Sequence, residues 1–266
     1  MNARRLGRMI VNGIRDTVAE LGDDRRFAAA SARYDLNGYR RAYLVHIRKT
    51  AGTSINRMFL ALSGKDPDAL YAELAARRGH RLVSNGLAFA AWHQRHIDRG
   101  HYFYAFSHIP FHRLALPAGT FSLSCFRDPV KRVVSHYNML MDYRVHDTPH
   151  PCMATEGQWL GGSFSDFLDR LPREHLLNQL FTFSPRCDVG EAVANVGRLS
   201  GYLFVDDFDS GVERINVATG LQLVPVHVRR SGFHAQISDR ELNRLHDMLR
   251  DEYRFLEQIR TAQHTR

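Results

Sequence analysis

Ala42-Tyr43-Leu44-Val45-His46-Ile47-Arg48-Lys49-Thr50-Ala51-Gly52-Thr53-Ser54-Ile55-Asn56-Arg57-Met58-Phe59-Leu60-Ala61-Leu62 is the stretch that decides the fold. Its first four residues form a short apolar run that reads as a buried strand. From Ile55 the pattern suits a helix packing back on that strand. A strand, a small-residue loop and a helix in succession present free backbone N–H groups to an anion. The helix dipole adds roughly half a positive charge at the same end. Gly52 allows close approach, Thr50, Thr53 and Ser54 add hydroxyl donors, and Lys49 brings a mobile full charge. The stretch reads as a phosphate cradle.

It is not the nucleoside-triphosphate version, in which the lysine follows the loop glycines. Here Lys49 precedes the only glycine, and no early glycine opens the loop. The order Lys-Thr-Ala-Gly-Thr-Ser after an apolar strand resembles the 5′-phosphosulfate loop of sulfotransferases that use 3′-phosphoadenosine-5′-phosphosulfate (PAPS). It is most similar to the H-x-P-K-T-[AG]-G-T-S loop of the carbohydrate sulfotransferase family that includes heparan sulfate 2-O-sulfotransferase. Arg48 stands where that family has proline.

A second motif follows in the order the family requires. Phe121 to Phe126 reads as a strand, and Asp128-Pro129 as a helix start with a cap and a proline at the first helical position. Arg127-Asp128-Pro129-Val130-Lys131-Arg132-Val133-Val134-Ser135-His136-Tyr137 matches the family's 3′-phosphate motif, R-D-P-x-x-R-x-x-S-x-Y, at every fixed position. A bidentate guanidinium with a nearby hydroxyl suits a phosphate. Between the two motifs, His101 to Phe106 reads as a strand running into Ser107-His108-Ile109-Pro110-Phe111. This is similar to the family's G-H-x-x-F, with serine replacing glycine. An imidazole there can accept a hydroxyl proton near neutral pH.

The resemblance implies a PAPS-dependent enzyme that transfers a sulfuryl group in line to a hydroxyl of an acceptor, a carbohydrate or glycoconjugate. It implies His108 as general base and Lys49 as the cation supporting the leaving 5′-phosphate. Arg48, Lys49, Thr50, Ala51, Gly52, Thr53 and Ser54 would hold the 5′ end of the donor, and Arg127 and Ser135 its 3′-phosphate. No metal is expected. The fold class expected is α/β, a P-loop-like three-layer fold with a mainly parallel central sheet flanked by helices. Residues 1–40 would form an N-terminal helical extension and 41–266 the sulfotransferase-like domain.

Composition fits this reading. The 266 residues suit one large α/β domain with an extension. Lys and Arg exceed Asp and Glu by 36 to 28, a net charge of +8, which favours anionic partners. The charge is dispersed, and no recognition motif points to nucleic acid. Three cysteines without C-x-x-C pairing make no disulfide framework and no zinc site. No run approaches the ~18–20 apolar residues of a membrane span, so a cytoplasmic location is expected.

Elsewhere, Leu6, Ile10, Ile14, Val18 and Leu21 form a helical stripe, and residues 64–100 read as largely helical from Asp66-Pro67 onward. His93 and His96 share a helix face without a carboxylate or cysteine to complete a metal site. Trp92, Arg95, Arg99 and His101 form an aromatic and basic group. Asn178-Gln179-Leu180-Phe181-Thr182 loosely resembles a family N-x-Q-T stretch. Tyr202 to Phe208 reads as a late strand, and Leu242 to Ile259 as one amphipathic closing helix. Arg229-Arg230-Ser231-Gly232 occupies the place of the family's loop over the adenine and 3′-phosphate. The alternatives are a nucleotide-dependent kinase, which needs a magnesium-binding hydroxyl after the loop lysine and a supporting aspartate, and a nucleotide- or glycan-binding protein without chemistry.

Overall fold

A computed structural model describes residues 24–228 and 232–264. The Leu6–Leu21 stripe and Arg229-Arg230-Ser231 lie outside the described residues. The fold is α/β, with a six-stranded sheet in the order β2-β3-β4-β1-β5-β6. The strands are β1 (Arg41–Val45), β2 (Arg81–Ser84), β3 (Leu87–Ala91), β4 (Tyr104–Ser107), β5 (Thr120–Phe126) and β6 (Gly201–Phe204). Only β2 runs antiparallel, pairing with β3; the β3·β4, β4·β1, β1·β5 and β5·β6 pairs are all parallel.

Alternation along β1 divides the interior into two layers. Tyr43 and Val45 join the cluster containing Phe126, Val133, Tyr137, Phe183 and Phe255. Ala42 and Leu44 join the one containing Ile55, Phe59, Tyr104, Leu123 and Val212. Successive strand residues face opposite sides of the pleat, so a strand buried on both faces needs apolar residues throughout. The first layer is covered by α4 (Pro129–Val145), α8 (Asn178–Phe183), α9 (Val189–Val196), α11 (Asp239–Met248) and α12 (Arg250–His264). The second is covered by α1 (Gly52–Ala61), α2 (Pro67–Ala76) and α10 (Phe208–Thr219). Shorter helices are α3 (Gln94–Arg99), α5 (Cys152–Thr155), α6 (Phe164–Arg170) and α7 (Arg173–Leu176), and residues 24–31 are also helical.

Three local expectations are corrected. Within 64–100, only α2 and α3 are helical, and between them β2 and β3 form a hairpin. Asn85 and Gly86 turn it with φ of 46° and 81°, the left-handed pair that an Asn-Gly hairpin turn requires. The late strand stops at Phe204, where a 3₁₀ turn leads into α10. The closing segment is two helices, because Leu249 interrupts α11 and α12. Among the described residues no helix is long and apolar enough to cross a membrane.

Candidate functional site

Five parallel strands end on the same edge of the sheet, so the residues just after them stand in a row in the order of their strands. Trp92 follows β3, His108 follows β4, the His46–Ala51 loop follows β1, Arg127 follows β5 and Val205 follows β6. From β1 the chain moves toward β3 and β4, and from β5 it moves toward β6. The crevice between the carboxyl ends of β1 and β5 is therefore the topological switch point, where α/β sheets bind ligands.

The loop is held in an unusual backbone. Lys49 and Ala51 have φ of 66° and 62°, a left-handed conformation that costs about 1–2 kcal/mol for a residue with a Cβ. Ala51 is the N-cap of α1, and no side chain caps that helix. Its first-turn N–H groups are thus left to a ligand rather than to a neighbouring hydroxyl or carboxylate. The packing beneath the loop also requires Gly52. A Cβ on it would meet the His46 ring at 1.9 Å, so the glycine makes room for an imidazole beneath the loop. That ring lies 4.3 Å from the His108 ring, centroid to centroid.

A cleft of about 600 Å³ opens at the switch point, and Lys49, Ala51, Ser54, Arg127 and Ser135 all line it. Lys131, Asn138 and His234 add polar groups, and Val134, Val205 and Val228 add apolar wall. Arg127 enters from the end of β5, where its Nη1 donates to the Lys49 carbonyl at 3.1 Å. Burial lowers the pKa of its guanidinium from the usual arginine value, though the group remains a cation at neutral pH. Ser54 Oγ accepts from the Val228 N–H at 3.3 Å, and Asn138 Oδ1 accepts from the Ala235 N–H at 3.1 Å. These two bonds attach the segment after α10 to both sides of the cleft.

Not every residue of the cradle faces the cleft. Thr50 is 1% exposed, and its hydroxyl donates to the Ile47 carbonyl at 3.0 Å. Thr53 is half-buried in the first turn of α1. The Arg48 guanidinium pairs with Glu156 at 2.7 Å, and the Arg48 backbone N–H donates to Asn178 Oδ1 at 3.4 Å. Glu156 is buried and also bonds His136 Nε2 at 2.7 Å. His136 follows Ser135 on α4, so one carboxylate joins the neighbour of Lys49 to the neighbour of Ser135. Burial opposes ionisation of Glu156, yet the His136 hydrogen bond and the Arg48 charge bring its pKa below the usual value.

His108 lines a separate cavity of about 360 Å³ with Trp92, Gln94, Ile109 and Arg113. Ser107 fixes the approach to it. Its hydroxyl bonds the Tyr43 hydroxyl at 2.7 Å and accepts from the Ile109 N–H at 3.1 Å. His108 Nδ1 lies 2.6 Å from the His46 carbonyl oxygen. A carbonyl only accepts, so Nδ1 carries the proton and Nε2 keeps the lone pair of a base. The residue is solvent-exposed. The surrounding protein, and secondarily the Arg48 charge, push its pKa down to about 4. It is therefore neutral across the physiological range.

Three residues that organise the site carry no role in the sequence reading. Glu156 lies alone in a loop-rich stretch with no local signal. Gln179 and Glu252 work as a relay: Glu252, fully buried, accepts from the Gln179 backbone N–H at 2.8 Å and faces the buried Arg132 at 3.7 Å. The Asn178-Gln179 stretch was visible, but which backbone each amide holds was not. Comparison with known proteins identifies no family for the chain: no family model and no curated protein matches it.

Proposed function

We propose that the protein is a PAPS-dependent sulfotransferase of the carbohydrate type, on a P-loop-like fold, with a hydroxylated acceptor as its second substrate. The observation that carries this reading is the convergence of Lys49, Ser54, Arg127 and Ser135 on one cleft beside the uncapped start of α1. The donor set fits a nucleotide bearing two anionic groups. Cations and hydroxyls suit the phosphates, and Val134, Val205 and Val228 offer apolar contact to a purine. PAPS, when bound, supplies the activated sulfuryl group. Lys49 and the α1 amides hold negative charge at the cradle, and Arg127 with Ser135 sets the register from the other phosphate. His108, with its Nδ1 proton given to the His46 carbonyl, offers Nε2 to the acceptor hydroxyl proton. The Arg48 guanidinium, paired with Glu156, supports the loop from behind.

The kinase alternative requires a metal-binding hydroxyl at Thr50 and a free aspartate. Thr50 is buried with its hydroxyl on Ile47. Asp128 caps α4 through the Lys131 N–H at 2.8 Å and accepts from the Tyr253 hydroxyl at 3.0 Å. Calorimetric titration with adenosine 3′,5′-bisphosphate (PAP), against ATP with magnesium, tests the proposal. Micromolar PAP binding with little response to ATP supports it, and labelled PAPS can then screen acceptors. Tight ATP binding without preference for the 3′-phosphate overturns it.

A further inference from the structure

Trp92, at the sheet's carboxyl edge, has a left-handed backbone that a bulky side chain rarely adopts. Its φ is 53°, and the His93 N–H donates to the Ala91 carbonyl at 2.6 Å, closing a three-residue turn around it. A turn of this hand is rare, and a bulky residue adopts it only where surrounding structure enforces it. The enforcement is visible. The Trp92 N–H donates to the Phe106 carbonyl at 3.1 Å. The indole packs edge-to-face with Phe106, Tyr71 and His80 at centroid distances of 5.2, 5.7 and 5.1 Å. Strain of this kind concentrates where a side chain must be aimed for function.

The indole is half-buried and borders the cavity that His108 lines. Gln94 Nε2 donates to the Arg113 carbonyl at 2.8 Å, joining the two polar residues at the opening. At about 360 Å³ the space lies at the lower end of the range for ligand pockets. A single ring fits it better than a length of chain. The cavity thus brings together an indole, one base and the exposed polar side chains of Gln94 and Arg113. An aromatic surface covers the C–H face of a sugar ring while its hydroxyls meet polar groups.

We propose that Trp92 is the acceptor-positioning residue: its indole stacks on one pyranose ring and brings a hydroxyl of that ring to His108. This rests on the sulfotransferase reading and adds to it the residue that selects a ring-shaped acceptor. Saturation-transfer NMR with methyl β-glucoside and methyl β-glucuronide, in the presence of PAP, tests it without requiring turnover. Ring-proton enhancements are expected in the native protein. They should weaken about tenfold in apparent affinity in W92A and be partly retained in W92F, with PAP affinity unchanged in both. In the W159F background Trp92 is the only indole, since the chain has two tryptophans, and its emission should change saturably with the same sugars. With a turnover substrate, W92A should raise KM about tenfold while kcat stays within about threefold. PAP binding without any sugar signal, or equal sugar affinity in W92A and W92F, overturns the assignment and leaves the donor site standing. Failure to bind PAP removes the sulfotransferase reading itself.

Discussion

Gln179 and Arg127 exchange a reciprocal pair of hydrogen bonds: the Arg127 N–H donates to Gln179 Oε1 at 2.8 Å, and Gln179 Nε2 donates to the Arg127 carbonyl at 3.0 Å. A side-chain amide thereby takes the place of a neighbouring strand just where β5 ends. The same amide nitrogen reaches Glu252 Oε2 at 3.3 Å, so the backbone carrying Arg127 is tied to the buried Arg132–Glu252 pair. Replacing Gln179 with Ala leaves buried polar groups on both partners. It should cost about 2–4 kcal/mol in urea unfolding and weaken PAP severalfold, although Gln179 is not among the cleft-lining residues. Unchanged PAP affinity would show that Arg127 holds its position without this clasp.

Arg127 itself should read the 3′-phosphate. Arg127→Ala is expected to weaken PAP by at least tenfold more than it weakens adenosine 5′-phosphate, because only PAP carries the second phosphate. Parallel titrations of the two nucleotides measure the difference. Equal losses would assign the guanidinium to the cradle, through its bond to the Lys49 carbonyl, instead.

The two cations of the loop should separate cleanly. Lys49 lines the cleft, so Lys49→Ala should weaken PAP about tenfold or more with little change in unfolding free energy. Arg48 faces Glu156, so Arg48→Ala removes one partner from a buried carboxylate. That variant should lose about 1–3 kcal/mol of stability and only a small part of its PAP affinity. The reverse pattern would place Arg48 on the donor.

His108→Ala should lower turnover by about 10²–10⁴-fold and leave PAP affinity nearly intact, since the ring lines the other cavity. With its pKa pushed down to about 4, the base is already deprotonated at neutral pH. The native rate should therefore stay level on the acid side until the pH nears 4, where protonation abolishes it. A rate that falls through pH 6 to 7 would contradict this assignment.

Stability should decline well before that point. Burial is the leading cause that lowers His96 and His136 to about 4, whereas an unfolded histidine titrates near 6.5. As pH falls below about 6.5 the unfolded chain takes up protons that the folded chain refuses until about 4. Stability present above that window is lost within it. His136, which is 1% exposed, adds a slope of up to about 1.4 kcal/mol per pH unit. Urea unfolding between pH 7 and 5 should show a flatter decline in His136→Gln. An equally steep decline would exclude His136 as a contributor.

Much of this was legible in the chain. The apolar run at Ala42–Val45 with its loop and helix, and the Asp128-Pro129 helix start, depend on local preferences: burial periodicity, capping and the fixed φ of proline. These are properties of short segments, and the structure has them at β1, α1 and α4. The hairpin at Asn85-Gly86 was equally local, but the alanine-rich Leu87–Ala91 masks it by favouring a helix. Tertiary pairing with β4 overrides that preference. The Gly52–His46 contact, the Arg48–Glu156–His136 chain and the Gln179 clasp have no local signal. Each joins residues distant in sequence whose meeting depends on strand order and helix packing. Sequence alone determined the strand–loop–helix unit at β1 and α1 and the capped start of α4. Tertiary structure decided which polar groups line the cleft and which are consumed in the interior, because a buried donor or acceptor must find a partner wherever the fold brings one.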